Sequence, residues 1–175
     1  MKRYLIIFVA VIVACITAAS YFKSEKPEEE YLRIHIRADS NAEEDQAVKY
    51  EIKDAVVNYL TPFIAECDSK EKAEKVLKSR ISFIEEISDG ILEKNGFNYK
   101  SRAKLTREEF PSRNYGNLTL EKGIYAALII ELGSAKGDNW WCVVYPPLCF
   151  TGSGAGYIYK SKIYEIIKNF FDKGE

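Results

Sequence analysis

The sequence is poor in the side chains that catalysis and metal binding use most often. It has one histidine, His35, and four cysteines without a CxxC pair, too few ligands for a structural zinc site. The carboxylate pairs Glu85–Glu86 and Glu108–Glu109 are adjacent in sequence, which is typical of solvated charges and not of a facing acid and base. We therefore expect no catalytic residues, no metal and no cofactor.

An excess of positive charge is also missing. Lys and Arg number 25 against 26 Asp and Glu, so nothing in the overall charge favours phosphate neutralisation. Nucleic acid is not an expected partner. As a general base, His35 would need an orienting acid and a nucleophile nearby. The closest hydroxyl in sequence, Ser40, is better explained as a helix cap.

A long apolar run is present at the N-terminus. A basic pair precedes residues 4–22, which carry no charge, the pattern of an export signal or a single membrane anchor. Residues 1–23 are therefore interpreted as a signal cut before Ser20 or as an uncleaved membrane anchor. Residues 24–30 are interpreted as a polar spacer. The remainder of the chain is expected to be exported.

Residues 31–150 are predicted to form one α+β domain, with two long amphipathic helices packed on a mostly antiparallel sheet. The first strand, Leu32–Arg37, alternates apolar and basic residues and is predicted to have one buried and one polar face. The first helix is predicted to begin near Asn41, where Ser40 with Glu43, or Asn41 with Glu44, has capping-box spacing. Its apolar stripe contains Val48, Ile52, Ala55, Val56, Tyr59, Leu60 and Phe63.

The second helix is predicted to run from a cap at Asp68–Ser69 to Asn95–Gly96. Strand-like segments then follow, and the last two are predicted to pair as a hairpin. They are connected by the polar loop Gly133–Asn139, which suits an exposed turn read by a partner. The four segments are residues 97–105, 118–120, 124–132 and 140–145.

Residues 151–175 are predicted to form a glycine-bearing hinge and a C-terminal amphipathic helix. The hinge, Gly152–Gly156, resembles a dinucleotide-binding loop, but no second strand follows it to complete a βαβ unit. Packing of the helix on its own domain is the preferred interpretation, and docking to a membrane surface or a partner groove is the alternative. Its apolar face contains Ile163, Ile166, Ile167, Phe170 and Phe171.

Two cysteines flank a turn-forming segment. Cys142 and Cys149 enclose two prolines that can reverse the chain, and exported proteins meet oxidising conditions. A disulfide between them is predicted, with two buried thiols as the alternative. Cys67 is then left as a free thiol.

The most specific segment, Gly137–Phe150, reads GDNWWCVVYPPLCF. It closely resembles the signature of the stage II sporulation protein R family. The family usually carries Asn, Asp, Arg and Phe at Asp39, Asn41, Lys53 and Tyr145. In order and spacing, the resemblance covers about Leu32–Phe150, through Arg33–Ile36, Ala38–Asn41, Asp45–Ala47, Lys53–Val56, Phe110–Pro111, Tyr115–Asn117 and Gly123–Leu128.

The resemblance implies a signalling protein of endospore-forming bacteria, exported into the space between the forespore and mother-cell membranes. The implied partner is a membrane-embedded aspartic protease of the mother cell. That protease processes the precursor of the transcription factor sigma-E, and a protein of this family activates it. The implied role is activation by contact, without catalysis.

We expect Asn139, Trp140 and Trp141, together with Tyr115, to contact the partner, because tryptophans rank high among interface hot spots. Adjacent side chains of a strand point to opposite faces, so one of the two tryptophans is expected to be exposed. Two other classes stay open. A peptidoglycan-binding module would use Trp140, Trp141 and Tyr157 to stack on sugars, and a thiol enzyme would use a free Cys142.

Overall fold

A computed structural model describes residues 30–116, 118–150 and 157–172, without the side chains of residues 157–161. The signal or anchor predicted for residues 1–23, the spacer before Glu30 and the predicted hinge lie outside the described residues. Within these ranges, no helix is both long and apolar enough to cross a bilayer.

A mixed sheet of four strands forms the centre of the domain. Its strands are β1 (Leu32–Arg37), β2 (Ser101–Phe110), β5 (Gly123–Leu132) and β6 (Asn139–Tyr145). The order is β2–β5–β1–β6; only β1 and β5 are parallel, and the other pairs are antiparallel. Two short strands, β3 (Arg113–Tyr115) and β4 (Leu118–Leu120), pair in a separate hairpin. The predicted α+β class with a mostly antiparallel sheet is confirmed.

The predicted hairpin between β5 and β6 is wrong, because β1 lies between them and pairs with both. The physical reason is the composition of β5. Residues 125–130 of this strand are all buried, and a strand buried on both faces occupies the middle of a sheet with a neighbour on each side. β2 supplies one neighbour and β1 supplies the other.

Two long helices cover one face of the sheet. They are α1 (Glu43–Ile64) and α2 (Lys70–Lys94), and their buried side chains share one core with Leu32, Ile34 and Ile36 of β1. The predicted ends of α2 are confirmed. Ser69 accepts a hydrogen bond from the amide of Lys72, and Gly96 follows the last turn with a φ of 81°, the left-handed conformation that ends many helices.

Neither predicted capping box forms at the start of α1. The N-cap residue is Ala42, which makes no side-chain cap. Ser40 accepts a hydrogen bond from the Ala42 amide at 3.0 Å and donates one to Asp45. Asn41 is bonded to Asp138. Ser40 thus bonds next to the first turn of α1 outside capping-box geometry, whereas Asn41 connects the start of α1 to a distant loop.

The C-terminal helix α3 (Tyr157–Asp172) packs on its own domain, as preferred. Ile163 is fully buried, and Ile166, Ile167 and Phe170 pack against the core. Phe170 also contacts Tyr31, with ring centroids 5.5 Å apart. Phe171 departs from the predicted face, because it is 41% exposed.

The opposite face of the sheet is buried as well. Arg33 and His35, predicted to lie on an exposed polar face, are 0% and 1% exposed. Phe110, Tyr125 and Trp141 pack on them, and a second core forms on this face of the sheet. It contains Tyr31, Phe110, Leu120, Tyr125, Ala127, Ile129 and Val143.

Candidate functional site

Two loops that are far apart in sequence meet where β1 ends and β6 begins. The Asn41 side chain accepts a hydrogen bond from the Asp138 amide at 2.6 Å and donates one to the Asp138 carboxylate at 3.3 Å. Asp39 accepts one from the Ser134 amide. The Gly137 amide donates to the carbonyl of Ala38 at 2.9 Å. Residues 38–41 thus hold residues 133–138, and we call these two segments the loop cluster.

Side chains of helix α1 form hydrogen bonds with the loop cluster. Gln46 donates a hydrogen bond to the carbonyl of Ser40 at 2.9 Å. The Lys49 ammonium donates to Gln46 at 2.5 Å and to the carbonyl of Asp138 at 3.0 Å. Lys49 is almost fully buried, and burial lowers its pKa while Asp138 opposes that shift. A network of this kind restrains the loop in one conformation.

Two glycines allow the loops to approach so closely. A Cβ atom on Gly137 would lie 2.1 Å from the carbonyl oxygen of Ser40. Gly133 has a φ of 56°, and a Cβ atom there would lie 2.2 Å from the Asp39 carboxylate. Only glycine fits both positions without moving the backbone or a bonded side chain.

The loop cluster leads into β6, which is an edge strand of the sheet. Asn139 is exposed, and both tryptophans are half-buried on opposite faces. Trp140 packs on the helix side, with the Lys53 ammonium 5.9 Å from its ring centroid. Trp141 packs on the other side, edge to face with Phe110 at 4.8 Å. The expectation of one exposed tryptophan is wrong, because each face of the sheet has its own core.

His35 does not have the environment of a general base. Its Nδ1 lies 3.6 Å from Glu108, beyond hydrogen-bond distance, and Arg37 takes that carboxylate as a partner. Burial lowers the pKa of His35 to about 4, so the imidazole is neutral at pH 7. The predicted cap Ser40 is bonded to Asp45 and to the Ala42 amide.

Tyr115 lies on the same side of the sheet as Trp141. Its hydroxyl accepts a hydrogen bond from Nη2 of Arg33 at 2.7 Å, and its ring packs against the second core. Arg113, in the same strand, lies 5.9 Å from the centroid of Trp141. The structure thus brings Tyr115 to the Trp141 side of β6, while Trp140 lies on the helix side.

The predicted disulfide between Cys142 and Cys149 is present. It connects β6 to a short 3-10 helix, Leu148–Phe150, just after the aromatic part of the strand. Cys67 is free and buried, and burial raises the pKa of its thiol. The bonded state leaves no thiolate at Cys142 for a thiol enzyme.

Sequence reasoning missed the roles of Asn41, Lys49 and Arg33. The sequence does not indicate the buried hydrogen-bond network of Lys49, because a lysine within a helix is ordinarily solvated. Its spacing from Gln46 is the one sequence feature that indicates the hydrogen bond between them. Lys49 lies three residues after Gln46, and residues so spaced are neighbours on a helix surface. The pairing of Asn41 with Asp138 had no local signal at all.

The fold and the site define a small α+β domain that presents a restrained polar loop and an aromatic strand edge. The model of the family Stage II sporulation protein R (spore_II_R) matches residues 28–154. Stage II sporulation protein R of Bacillus subtilis (strain 168) is 36% identical over 131 residues. That alignment covers 75% of this chain and 58% of the relative. No solved structure matches the chain.

The chain therefore belongs to the stage II sporulation protein R family, and the resemblance seen in the sequence is confirmed. Membership supports a role in sporulation. Three of the segments that carried the resemblance also meet in space. Asp39–Asn41 and Gly137–Asp138 lie in the loop cluster, Asp45–Gln46 bond to it from α1, and Asn139–Trp141 begin β6.

Proposed function

We propose that this protein is an exported sporulation signal that activates, by protein contact, the membrane-embedded aspartic protease that processes the sigma-E precursor. Family membership supports the sporulation role. The observation that carries the contact mechanism is the edge of β6, where Asn139, Trp140 and Trp141 follow a restrained loop. The three side chains and Tyr115 form the proposed contact surface.

An edge strand is suited to this role for two reasons. Its two faces meet at the outer edge of the sheet, so a partner that approaches there can reach Trp140 and Trp141 together although they point to opposite faces. Half-buried tryptophans also offer large apolar area that is already ordered. The hydrogen bonds of the loop cluster lower the entropy lost on binding, since the loop is fixed before the partner arrives.

The side chains that sequence analysis considered for catalysis are engaged in the fold. His35 is neutral and stacked on Trp141. Ser40 is bonded to Asp45, and Cys142 is joined to Cys149. This arrangement favours a protein that acts by binding over one that acts by chemistry.

We also propose that the domain works outside the cytoplasm, in the space between the forespore and mother-cell membranes. The disulfide supports this location, because such bonds persist in oxidising compartments. The apolar residues 4–22 would direct export and, if uncleaved, hold the domain at the membrane.

Co-expression in a non-sporulating host tests the proposed function. The protease, the sigma-E precursor and the full chain are produced together, and precursor cleavage is followed by immunoblot. A matched control lacks residues 1–23. Cleavage that requires this protein and its residues 1–23 supports an activator that works from outside the membrane, and absence of cleavage with the full chain contradicts it.

The contact surface is tested with two alanine variants in the same assay. Trp140→Ala should reduce cleavage at least tenfold at equal protein level. Phe83→Ala removes another aromatic ring, 51% exposed on α2, and should leave cleavage unchanged. Equal activity of the Trp140 variant and the wild type would place the contact elsewhere.

A further inference from the structure

The guanidinium of Arg33 lies inside a cage of three aromatic rings. Its Cζ atom is 4.2 Å from the ring centroid of Phe110, 4.8 Å from that of Tyr125 and 5.7 Å from that of Tyr115. Arg33 has no exposed surface. We call Arg33 and these three rings the Arg33 cage.

The cage leaves most of the guanidinium donors unused. Nη2 donates to the Tyr115 hydroxyl at 2.7 Å, whereas Nε and Nη1 have no hydrogen-bond partner among the described residues. A guanidinium carries five donors in a planar fork, and buried donors are ordinarily satisfied. The Arg33 cage therefore holds a buried side chain with unused binding capacity.

The cage also lacks a counter-charge within the described part of the chain. The carboxylates on this face of the sheet pair with other cations: Glu108 with Arg37, and Glu131 with Arg37 and Lys104. Burial lowers the pKa of Arg33, but a guanidinium stays protonated in proteins. Aromatic rings offset part of the cost of burying such a cation, and a carboxylate would offset more.

Tyr115 is the wall of the cage that can be displaced at the lowest cost. Phe110 and Tyr125 belong to β2 and β5 and are fully buried. Tyr115 is half-buried and belongs to the separate β3–β4 hairpin, whose strands have three residues each. A short two-stranded hairpin has little stability of its own. Movement of this side chain would open the guanidinium to the surface.

The cage adjoins the proposed contact surface. Arg33 pairs with Val143 of β6, and Val143 follows Trp141 by two residues in that strand. The Trp141 ring packs edge to face on Phe110, which is a wall of the cage. A partner segment that contacts Trp141 at the β6 edge is therefore separated from the cage wall Phe110 only by the Trp141 ring.

We propose that the Arg33 cage is a receptor for an aspartate or glutamate side chain of the partner protein. The Tyr115 hydroxyl occupies the receptor until that carboxylate arrives. Nη2 shares one edge of the guanidinium with Nε and the other with Nη1. Displacing the hydroxyl thus frees a two-donor edge that matches a carboxylate. This inference rests on the proposed function, since it names the chemistry by which the same partner is recognised.

Three variants of the full chain test the receptor in the co-expression assay, with protein amount varied by induction and measured by immunoblot. Arg33→Met removes the charge and the donors but fits an aromatic cage. The amount needed for half-maximal cleavage should rise at least tenfold, while the purified variant should unfold at the same temperature as the wild type or a higher one. Arg33→Lys keeps the charge without the fork and should also require several-fold more protein.

Tyr115→Phe keeps the ring and removes the hydroxyl that occupies the receptor. It should lower the amount needed for half-maximal cleavage. Arg102→Met is the matched control, because Arg102 is exposed on β2. This variant should change neither cleavage nor unfolding temperature.

The outcomes separate this inference from the proposed function. Wild-type cleavage with an equally active Arg33→Met variant would overturn the receptor alone. Loss of folding together with cleavage in both Arg33 variants would assign Arg33 a structural role and would also overturn it. Absence of cleavage with the wild type would overturn the proposed function and the receptor together.

Discussion

The imidazole of His35 lies nearly flat against the indole of Trp141, with ring centroids 3.6 Å apart and planes 21° from parallel. The two residues are opposite each other in β1 and β6. This stack joins the second core to the strand edge where partner contact is proposed. The fold therefore depends on a neutral, buried histidine directly beneath the candidate site.

Acidification should destabilise the protein through His35. The folded-state pKa is lowered to about 4, whereas an unfolded chain has a histidine pKa of about 6.5. The unfolded state binds the proton first, so the stabilisation is complete above pH ~6.5 and is lost as the pH falls towards ~4. The full effect is about 3 kcal/mol in the free energy of unfolding.

Urea unfolding at several pH values between these limits measures the effect. His35→Gln is the matched variant, because its amide does not titrate. Glu131, whose pKa is also lowered in the fold, contributes to both proteins. Subtracting the variant's free energy of unfolding from that of the wild type at each pH therefore cancels the contribution of Glu131. If the free energy of unfolding changed with pH equally in the wild type and the variant, the pH dependence would not come from His35.

Loss of the disulfide should destabilise the domain. The bond between Cys142 and Cys149 closes a short loop, and the chain-entropy model gives about 2 to 3 kcal/mol for such a loop. The double variant Cys142→Ser with Cys149→Ser should unfold at correspondingly lower urea concentration and activate the protease less well. Cys67→Ala is the control for removing a buried thiol that forms no disulfide. Unchanged stability of the double variant would show that the bond restrains nothing.

Gly137→Ala should separate the two loops of the cluster. The added Cβ atom meets the Ser40 backbone, so we expect a loss of about 1 to 3 kcal/mol in the free energy of unfolding. Gly90→Ala is the matched control, because nothing lies within 4 Å of a Cβ atom there. In the middle of α2, that change should stabilise by about 0.5 to 1 kcal/mol. Thermal unfolding of both variants measures the contrast, and equal behaviour would show that the loops are not tightly apposed.

The elements that sequence patterns predicted well depend on local chemistry. The cap at Ser69, the end of α2 at Asn95–Gly96 and the short strand Leu118–Leu120 follow from residue types and their spacing. The order of the strands does not follow from them. Pairing β5 with β6 assumed that neighbours in sequence are neighbours in the sheet, although the unbroken apolar run Ala126–Ile130 indicated a central strand.

The candidate site was harder to predict, because its environment comes from distant residues. Arg33 and His35 alternate with apolar residues and so resembled a solvent-exposed face. Their burial requires Phe110, Tyr125 and Trp141, which follow far later in the chain. Ser40 and Asn41 have the residue types of helix caps, but no local rule indicates that Asn41 bonds to Asp138 instead.

Site-specific photocross-linking detects contact between the β6 edge and the protease in the assembled system. A benzoylphenylalanine at Asn139, which is exposed at the start of β6, is introduced into the full chain and irradiated during co-expression. The same group at Phe83 on α2 is the matched control. We predict a covalent adduct with the protease from position 139 and none from position 83. An adduct only from position 83, or none from position 139 while precursor cleavage continues, would show that the β6 edge does not contact the protease.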